Sequence, residues 1–376
     1  MRKLKIILLF TSLVVLRFAM QASPLPNTWT PESKIRFTAM IIQEVEYTDS
    51  QTIVRSGIWY IKMRGYAVII PGSRMAFVGT VTPKLLGNKV TQIVMVDPIF
   101  EVIEHTRCVG GFHIECIVIA LGQLRHNWVH ILEKNLPEPM SSLAAGILLG
   151  IQGKMPEAFH QSLISTGTLH IVAASGYNVT IVAVVLMSIV GRVIAKQYAI
   201  MIGILGIITY VLLAGSSASV VRAGIMGSLT LIAYYFGRVA EAKRLLWICG
   251  VIMILVNPLM IVDIGFQLSF VATAGLLYIK PWIARYGSKN KFFDEYLYPT
   301  LAATLATMPI ILIQFGRVSW ISPIVNMLIL PVVPLIMLLT TITIGIGSLS
   351  VLLGQLGSLI LYFPLWYMVK IIEMFG

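Results

Sequence analysis

Two residues with the chemistry of a base and a nucleophile, His170 and Ser175, lie five positions apart in one long apolar stretch. Hydrolysis by a serine nucleophile requires a base within hydrogen-bond distance of the serine hydroxyl. On one helix, five positions correspond to a rotation of about 140°, so the two side chains diverge. A serine elsewhere, such as Ser217, would have to substitute, and nothing in the sequence distinguishes it. We therefore consider an intramembrane serine hydrolase only as a minor alternative and expect that the protein is not an enzyme.

Metal and nucleotide sites lack their usual residues. The six histidines form neither an H-x-H-x-D-H nor an H-E-x-x-H pattern, so a hydrolytic metal site is without its ligands. The stretch Gly150–Lys154 (GIQGK) matches only the last part of the phosphate-binding loop pattern. Leu148 replaces its first glycine, and Met155 stands where a serine or threonine would bind magnesium. We expect no metal and no cofactor.

Ionisable side chains inside apolar runs are costly in a bilayer unless they are paired or hydrated, so they are candidate functional residues. Arg222 and Asp263 either form a structural ion pair or line an aqueous entrance. Gln267 lies four residues after Asp263 on the same helical face and extends a polar stripe. For the amide residues, interhelical hydrogen bonding is the alternative role. The residues that we expect at the mouth or wall of such a path are His170, Ser175, Asn178, Arg222, Asp263, Gln267, Arg317 and Asn326.

The segments that carry these residues have the composition of membrane helices. Of 376 residues, 57% are hydrophobic and only 12% are charged, about half the charged share of a soluble domain. Pro323, Pro331 and Pro334 interrupt one run and predict a broken or re-entrant helix. Residues 168–376 are thus predicted to form a channel-like domain of about eight helices, since apolar runs near the ~20 residues that span a bilayer occur at 168–191, 197–214, 219–237, 243–257, 262–279, 296–315, 321–346 and 350–375.

Loop charge predicts the orientation of these helices. The net charge is +12, and basic residues concentrate in alternate loops, whereas the loops 215–219 and 257–263 contain no lysine or arginine. The positive-inside rule places the basic loops in the cytoplasm and leaves the C-terminus outside. The basic residues in question are Arg192, Lys196, Arg238, Lys243, Arg244, Lys280, Arg285, Lys289 and Lys291.

Residues 1–23 resemble a signal peptide or a short membrane anchor. A basic start precedes the apolar run Ile6–Leu16, which Arg17 interrupts. The stretch Ala19–Ser23 is a poor small-x-small cleavage site, so we favour a retained anchor. In either case the N-terminus stays in the cytoplasm and the following region is exported.

Residues 24–116 change to short β-rich runs separated by turn-like stretches. About five strands within 34–104 favour a small exported β-barrel of the OB type. Its aromatic and basic residues serve either as a stacking platform for single-stranded nucleic acid or as barrel core and solvated face. The platform candidates are Trp59, Tyr60, Lys62, Arg64 and Arg74. If the region is exported, Cys108 and Cys116 can form a disulfide, and two free thiols are the alternative.

Residues 117–167 are mixed in character. The apolar stretch 141–151 is too short to cross a bilayer, and charged residues and histidines crowd the segment before it. We expect amphipathic helices that lie at the membrane interface. The fold class predicted for the whole chain is a polytopic α-helical membrane protein with an exported N-terminal OB-type β-barrel.

Several ordered motifs resemble those of the ComEC family of competence membrane proteins. The stretch 166–176 (TGTLHIVAASG) is similar to the family's SG-x-x-H-L-L-A-x-SG signature, although Thr166 replaces a serine. Val221-Arg222-Ala223 resembles its x-R-A motif, and Asn257-Pro258 with 263–270 (DIGFQLSF) resembles NP…D-x-GFQLSF. Met308-Pro309 through Phe315-Gly316 and Asn326 complete the series, and Asn178 stands where the family often has histidine. The resemblance covers nearly the whole chain.

The resemblance implies a channel for uptake of transforming single-stranded DNA across the bacterial cytoplasmic (inner) membrane. It further implies an exported DNA receptor and a cytoplasmic ATP-driven DNA translocase as partners, besides membrane lipids. Many members continue into a metallo-β-lactamase-like domain proposed to degrade the other strand, whereas this sequence ends at Gly376. We therefore expect any nuclease to be a separate protein or absent. A DNA-binding scaffold without transport and a small-anion transporter remain alternative functions.

Overall fold

The computed structural model describes two compact units, one ending at His130 and one made of Ile131–Gly150 with Met155–Gly376. The residues whose placement is described are 34–40, 45–48, 51–56, 59–64, 73–86, 89–105, 114–151, 155–172, 175–316 and 318–376.

The first unit contains a β-sheet that is organised around one long strand. The first half of the 14-residue β5 pairs with β1 and β7, and its second half pairs with β6. Neighbouring strands are antiparallel except β4 and β6, which are parallel. The strands are β1 Lys34–Met40, β2 Val45–Thr48, β3 Gln51–Ser56, β4 Trp59–Arg64, β5 Ser73–Leu86, β6 Lys89–Val96 and β7 Ile99–His105.

The number of strands differs from the prediction of about five. Two of the expected runs each contribute to two strands: residues 34–46 include β1 and the start of β2, and residues 52–63 include most of β3 and β4. Four buried side chains, Ile61, Met63, Phe77 and Met95, are the described core of this sheet. The pairings show a mixed sheet, and closure into an OB-type barrel stays a prediction.

The second unit is helical. Its helices, together with the helix that leads into it, are α1 Ile114–Asn135, α2 Met140–Leu149, α3 Glu157–Ser165, α4 Leu169–Val172, α5 Gly176–Val190, α6 Lys196–Leu213, α7 Ala218–Tyr235, α8 Ala242–Val256, α9 Ile264–Ala274, α10 Lys280–Tyr286, α11 Tyr298–Phe315, α12 Ser322–Ile329, α13 Val333–Gly347 and α14 Val351–Phe375. Short 3-10 turns at Pro258–Val262 and Leu330–Val332 and π-helical turns at Gly275–Ile279 and Phe293–Leu297 complete it.

Six helical segments within the described residues are long and apolar enough to cross a membrane, so the chain is a multi-pass helical membrane protein. Two of the eight predicted runs are not among them. The run 243–257 forms α8, whose 15 residues extend only about 22 Å, less than the ~30 Å hydrocarbon layer. The run 262–279 forms α9 and a π-helical turn. The six segments are Leu169–Val190, Lys196–Leu213, Ala218–Tyr235, Phe293–Phe315, Ser322–Gly347 and Val351–Phe375.

The helix break predicted from the prolines is confirmed. α12 ends at Ile329, the 3-10 turn Leu330–Val332 follows, and α13 begins at Val333. Pro331 and Pro334 lie at the starts of the turn and of α13, where a missing backbone N–H removes no helical hydrogen bond. The two helices together still form a segment of 26 residues, long enough to cross a bilayer.

The interfacial amphipathic helices predicted for residues 117–167 stay a prediction, and one helix of this region, α2, is buried in the structure. All ten of its residues are buried, so the helix has no exposed face. α2 packs against α4, α13 and α14 in the interior of the second unit. Ser141 and Ser142 lie in its first turn, and the remaining residues are apolar or glycine. A helix that is apolar all round suits a buried position rather than a membrane surface.

Two small cores hold together the helices that carry the candidate residues. Val179 of α5, Ile207 and Tyr210 of α6 and Val220 of α7 form one buried cluster with Ala214. A second cluster joins α7, α8 and α9 through the buried residues Cys249, Met253 and Phe266. α7 belongs to both clusters, and it is the helix on which Arg222 lies.

Candidate functional site

Arg222 is the buried charged residue around which the candidate site is built. It lies near the start of α7 and is only 8% exposed. Its Nη1 donates a hydrogen bond to the backbone carbonyl of Ser269 on α9, and its Nε has no partner. Among the described residues, no carboxylate forms an ion pair with it. A desolvated cation without a counter-ion costs several kcal/mol, so this position is suited to receive an anion.

The glycine of the SGYN stretch lies directly beside this guanidinium. A Cβ placed on Gly176 would be 3.2 Å from Nη2 of Arg222 and 3.2 Å from the Cβ of Ala223. Gly176 is also the first residue of α5, where the first backbone N–H groups lack partners within the helix and carry partial positive charge. The arginine and the helix start thus form one electropositive spot, which we call the Arg222 site.

Asp263 does not pair with Arg222. Its Oδ1 accepts a hydrogen bond of 2.7 Å from the N–H of Phe266, so the carboxylate is the N-cap of α9, and the residue is exposed. Gln267, on the same helix, donates from Nε2 to the carbonyl of Ile261 at 2.7 Å. Of the two predicted roles, the structural ion pair is therefore wrong. Both side chains organise the start of α9, the helix whose Ser269 carbonyl binds Arg222.

Asn178 and Ser175 belong to a buried polar connection rather than to an open path. Asn178 is 1% exposed, and its Nδ2 donates to the carbonyl of Ile147 at 2.7 Å. Ser175 donates from Oγ to Oδ1 of Asn178 at 3.2 Å. The hydroxyl of Tyr210 donates to the carbonyl of Leu148 at 2.9 Å. These side chains cap the C-terminal carbonyls of the buried helix α2, which have no partner within the helix.

His170 lies at the start of the first candidate membrane segment and is exposed. Its Nδ1 donates to the carbonyl of Gly167 at 2.9 Å. His170 and Ser175 thus form hydrogen bonds with different partners.

A second polar cluster brings the turn before His170 together with α12. Gly167 has φ +69°, and a Cβ there would be 3.0 Å from Oγ of Ser322 and 3.1 Å from the Cβ of Ser319. Asn326 is 2% exposed and donates from Nδ2 to Oγ of Ser322 at 3.1 Å, while its Oδ1 has no partner. Asn326, the predicted path residue farthest along the chain, therefore lies close to the stretch 166–176, which contains His170. Arg317 lies outside the described residues.

The conservative change at Thr166 keeps the chemistry of the serine that it replaces in the motif. Its hydroxyl donates to the carbonyl of Ser162 at 2.6 Å and lies 2.9 Å from the hydroxyl of Thr168. Both threonines are fully buried. The hydroxyl of Thr166 thus links the end of α3 to the turn before His170.

The residues proposed for the β unit are only partly described. Lys62 lies on β4 between the buried residues Ile61 and Met63, and its side chain is half-buried. Trp59, Tyr60, Arg64 and Arg74 belong to strands by their backbone, and their side chains lie outside what the structure describes. Cys108 and the side chain of Cys116 also lie outside the described residues. The stacking platform and the disulfide stay predictions.

Two features of the site were missed by reasoning from sequence. The carbonyl of Ser269 binds Arg222, and the Sγ of Cys249 lies 3.5 Å from the carbonyl of Arg222. The only sequence signal for the first was the position of Ser269 within the DIGFQLSF stretch. Backbone carbonyls carry no signature of their own, so their partners follow from packing alone.

Comparison with known proteins places these features in one family. Residues 147–376 match the family described as "Competence protein". The chain is 25% identical over 209 residues to "ComE operon protein 3" of Bacillus subtilis (strain 168), covering 55% of this chain and 26% of that protein. It is 23% identical over 369 residues to "Uncharacterized protein YcaI" of Escherichia coli (strain K12), covering 90% of this chain and 48% of that protein. The chain thus spans about half or less of these relatives. No solved structure matches it.

Proposed function

Because this chain belongs to the Competence protein family, we propose that it is a membrane channel for single-stranded transforming DNA during natural competence. The observation that carries the proposal is the buried guanidinium of Arg222, which adjoins the start of α5 and forms no ion pair with a carboxylate in the part of the chain that the structure describes. A strand that enters the bilayer loses hydration of its phosphates. A charge-assisted hydrogen bond from arginine offsets part of that loss.

In this proposal the Arg222 site lies at the mouth of the channel. We propose that the exposed side chains of His170 and Asp263 form its rim. Arg317, which lies outside the described residues, is the proposed second cation. Ser175, Asn178 and Gln267 keep the surrounding helices in place through the hydrogen bonds described above. Asn326 contributes an acceptor without a partner at the second polar cluster.

The proposed orientation places the β unit and the C-terminus outside and the N-terminus in the cytoplasm of a bacterial inner membrane. Two contacts between lysines and tyrosines at the helix ends support the placement of the basic loops on one side of the membrane. Nζ of Lys196 lies 4.0 Å from the ring centre of Tyr234, and Nζ of Lys243 lies 4.9 Å from that of Tyr278. The exported unit, an OB-type barrel in this proposal, binds the strand through stacking and charge.

Transport in this direction requires an energy source. Moving phosphate charge inward against an inside-negative potential costs about 2.3 kcal/mol per charge per 100 mV. We propose that a cytoplasmic ATP-driven translocase supplies it, that an exported receptor delivers the DNA, and that a nuclease removes the other strand.

The test is import of labelled single-stranded DNA into proteoliposomes that contain a cytoplasmic-side DNA motor. The intact protein should import the strand, and R222A and H170A should reduce import. K370A is the matched control, because Lys370 is an exposed residue of α14 that forms an ion pair with Glu373 of the same helix at 2.8 Å. If R222A imports as much DNA as the intact protein, Arg222 has no role at the mouth.

The buried guanidinium also fits a small anion, so a small-anion transporter is the second candidate. Flux of phosphate or chloride that excess DNA fails to block would favour it. A third outcome, DNA binding with no import under any condition, would favour a membrane-anchored scaffold.

A further inference from the structure

A charged cleft lies between α10 and the start of α11. It has a volume of about 560 Å³ and is lined mainly by charged and hydroxyl side chains. Lys280, Lys289, Lys291, Asp294, Glu295 and Tyr298 are the residues that define it, and we call it the lysine cleft. None of them was among the predicted path residues.

The walls of the lysine cleft are held by specific contacts. The hydroxyl of Tyr298 donates to the carbonyl of Ser288 at 2.9 Å. A Cβ on Gly287 would meet that hydroxyl, so the turn packs directly against the ring of Tyr298. On the other wall, Nζ of Lys280 and Oδ2 of Asp294 are 3.3 Å apart. The cleft is therefore a built feature rather than a gap between loose loops.

Both chain segments that border the cleft contain π-helical turns. Gly275–Ile279 directly precedes Lys280, and Phe293–Leu297 includes Asp294 and Glu295. Single π-helical turns within α-helices occur frequently at functional sites, because the extra residue redirects side chains. Gly275 allows the first turn to lie against α11, since a Cβ there would be 2.6 Å from the carbonyl oxygen of Ala302.

The charge of the cleft favours an anion. It contains three lysines and two carboxylates, and the pair between Lys280 and Asp294 neutralises one of each. Lys289 and Lys291 remain exposed at the rim with Glu295. The cleft is on the side of the basic loops, because Lys243 contacts Tyr278 in the π-helical turn before Lys280. In the proposed orientation that side is cytoplasmic.

We infer that the lysine cleft binds the sugar–phosphate backbone of single-stranded DNA as it leaves the helical bundle on the cytoplasmic side. The inference rests on the proposed function. Lysines are flexible point charges that hold phosphate without regard to base sequence, as a general channel requires. Next to Lys291, the rings of Phe292 and Tyr296 have centroids 5.1 Å apart and offer a surface for base stacking.

Other anionic partners fit the cleft less well. A protein partner buries about 800 Å² of each surface, whereas this cleft has the size of a small-ligand site. A lipid needs an apolar groove for its acyl chains beside the headgroup site, and the lining here is predominantly charged.

The test uses the full chain in vesicles of phosphatidylcholine with the cytoplasmic side outward. A photoreactive side chain replaces Ala284, which lines the cleft, and the probe is a labelled 20-nucleotide oligo(dT). K289Q/K291Q should reduce cross-linking at least fivefold. It should also lower the slope of log binding constant against log salt by about 1.4, the value for two phosphate contacts of a single strand. R192Q/R238Q is the matched control, because it removes the same charge from exposed positions on the same side.

Equal losses in both double variants would mean that general surface charge binds the strand, and the inference would be wrong. An effect that appears only when phosphatidylglycerol is added would assign the cleft to lipid headgroups and also overturn it. DNA import in the same vesicles separates this inference from the proposed function. If DNA is imported but K289Q/K291Q leaves cross-linking unchanged, the inference about the cleft is wrong and the proposed channel stands. If cross-linking depends on the cleft but no DNA is imported, the proposed channel is wrong and the cleft still binds DNA.

Discussion

The Nη2 atom of Arg222 lies 3.2 Å from the point at which a side chain would begin on Gly176. The two residues come from separate sequence motifs, on α7 and α5, and they meet where α5 begins. The absence of a side chain at 176 leaves the guanidinium beside the start of that helix, where the partial charge of the helix is positive. This contact defines the Arg222 site and leads to the first two predictions.

Replacing Arg222 by methionine should separate stability from function. We expect the free energy of unfolding to stay the same or rise, because a buried cation without a counter-ion is destabilising. DNA import should fall at least about tenfold, in line with the roughly 1.5–3 kcal/mol of a charge-assisted hydrogen bond. Thermal unfolding in detergent and the import assay measure the two effects. R222K, which keeps the charge, should retain more import, and a strongly destabilised R222M would assign the arginine a structural role.

Introducing a methyl group at Gly176 should disturb the guanidinium. In G176A the new Cβ is tighter than ordinary contact with both Arg222 and Ala223, so the neighbours must shift. Overpacking of this kind costs about 1–3 kcal/mol, and import should fall with it. The control is G345A, since a Cβ at Gly345 on α13 meets nothing within 4 Å. Equal stability of the two variants would contradict the close approach.

The side chains that cap α2 should be coupled energetically. N178A and Y210F each leave a buried carbonyl, of Ile147 or Leu148, without its donor, at a cost of about 1–3 kcal/mol. Because both act on the last turn of one helix, the double variant should deviate from additivity by at least about 0.5 kcal/mol. Chemical unfolding of the four proteins in the cycle measures this. T180A, which alters an exposed hydroxyl bonded within its own helix, should have little effect.

Two glycines with the same backbone conformation should respond differently to alanine. Gly167 and Gly316 have φ values of +69° and +71°, so both substitutions incur about 1–2 kcal/mol of backbone strain. Only at Gly167 does the new Cβ also approach another side chain, that of Ser322, at 3.0 Å. G167A should therefore lower the melting temperature more than G316A. Identical shifts would show that the turn before His170 is not packed against α12.

Asp263 should behave as a helix cap. D263N keeps an oxygen that accepts from the N–H of Phe266 and should be nearly neutral, whereas D263A should lose about 1 kcal/mol. If Asp263 instead neutralised Arg222, D263N would be strongly destabilising, by about 3–5 kcal/mol. Melting temperatures of the two variants distinguish these roles.

Composition and local pattern were sufficient to predict much of this protein. A chain with 57% hydrophobic residues and 12% charge can only be stable with most of its helices in lipid. Pro331 and Pro334 predicted the break before α13, because proline constrains its own backbone locally. The family resemblance also rested on residues that the sequence displays directly. These properties depend on residues that are near one another in the chain.

Only the tertiary structure decided which polar groups meet. Arg222 binds the carbonyl of Ser269 rather than the carboxylate of Asp263, because the helix start nearby already uses that carboxylate as its cap. Tyr210 caps a carbonyl 62 residues away, on a helix that the sequence placed at the membrane surface. Such pairs depend on which helix faces pack together. Helical periodicity gives the face of one helix but does not identify the helix that covers it.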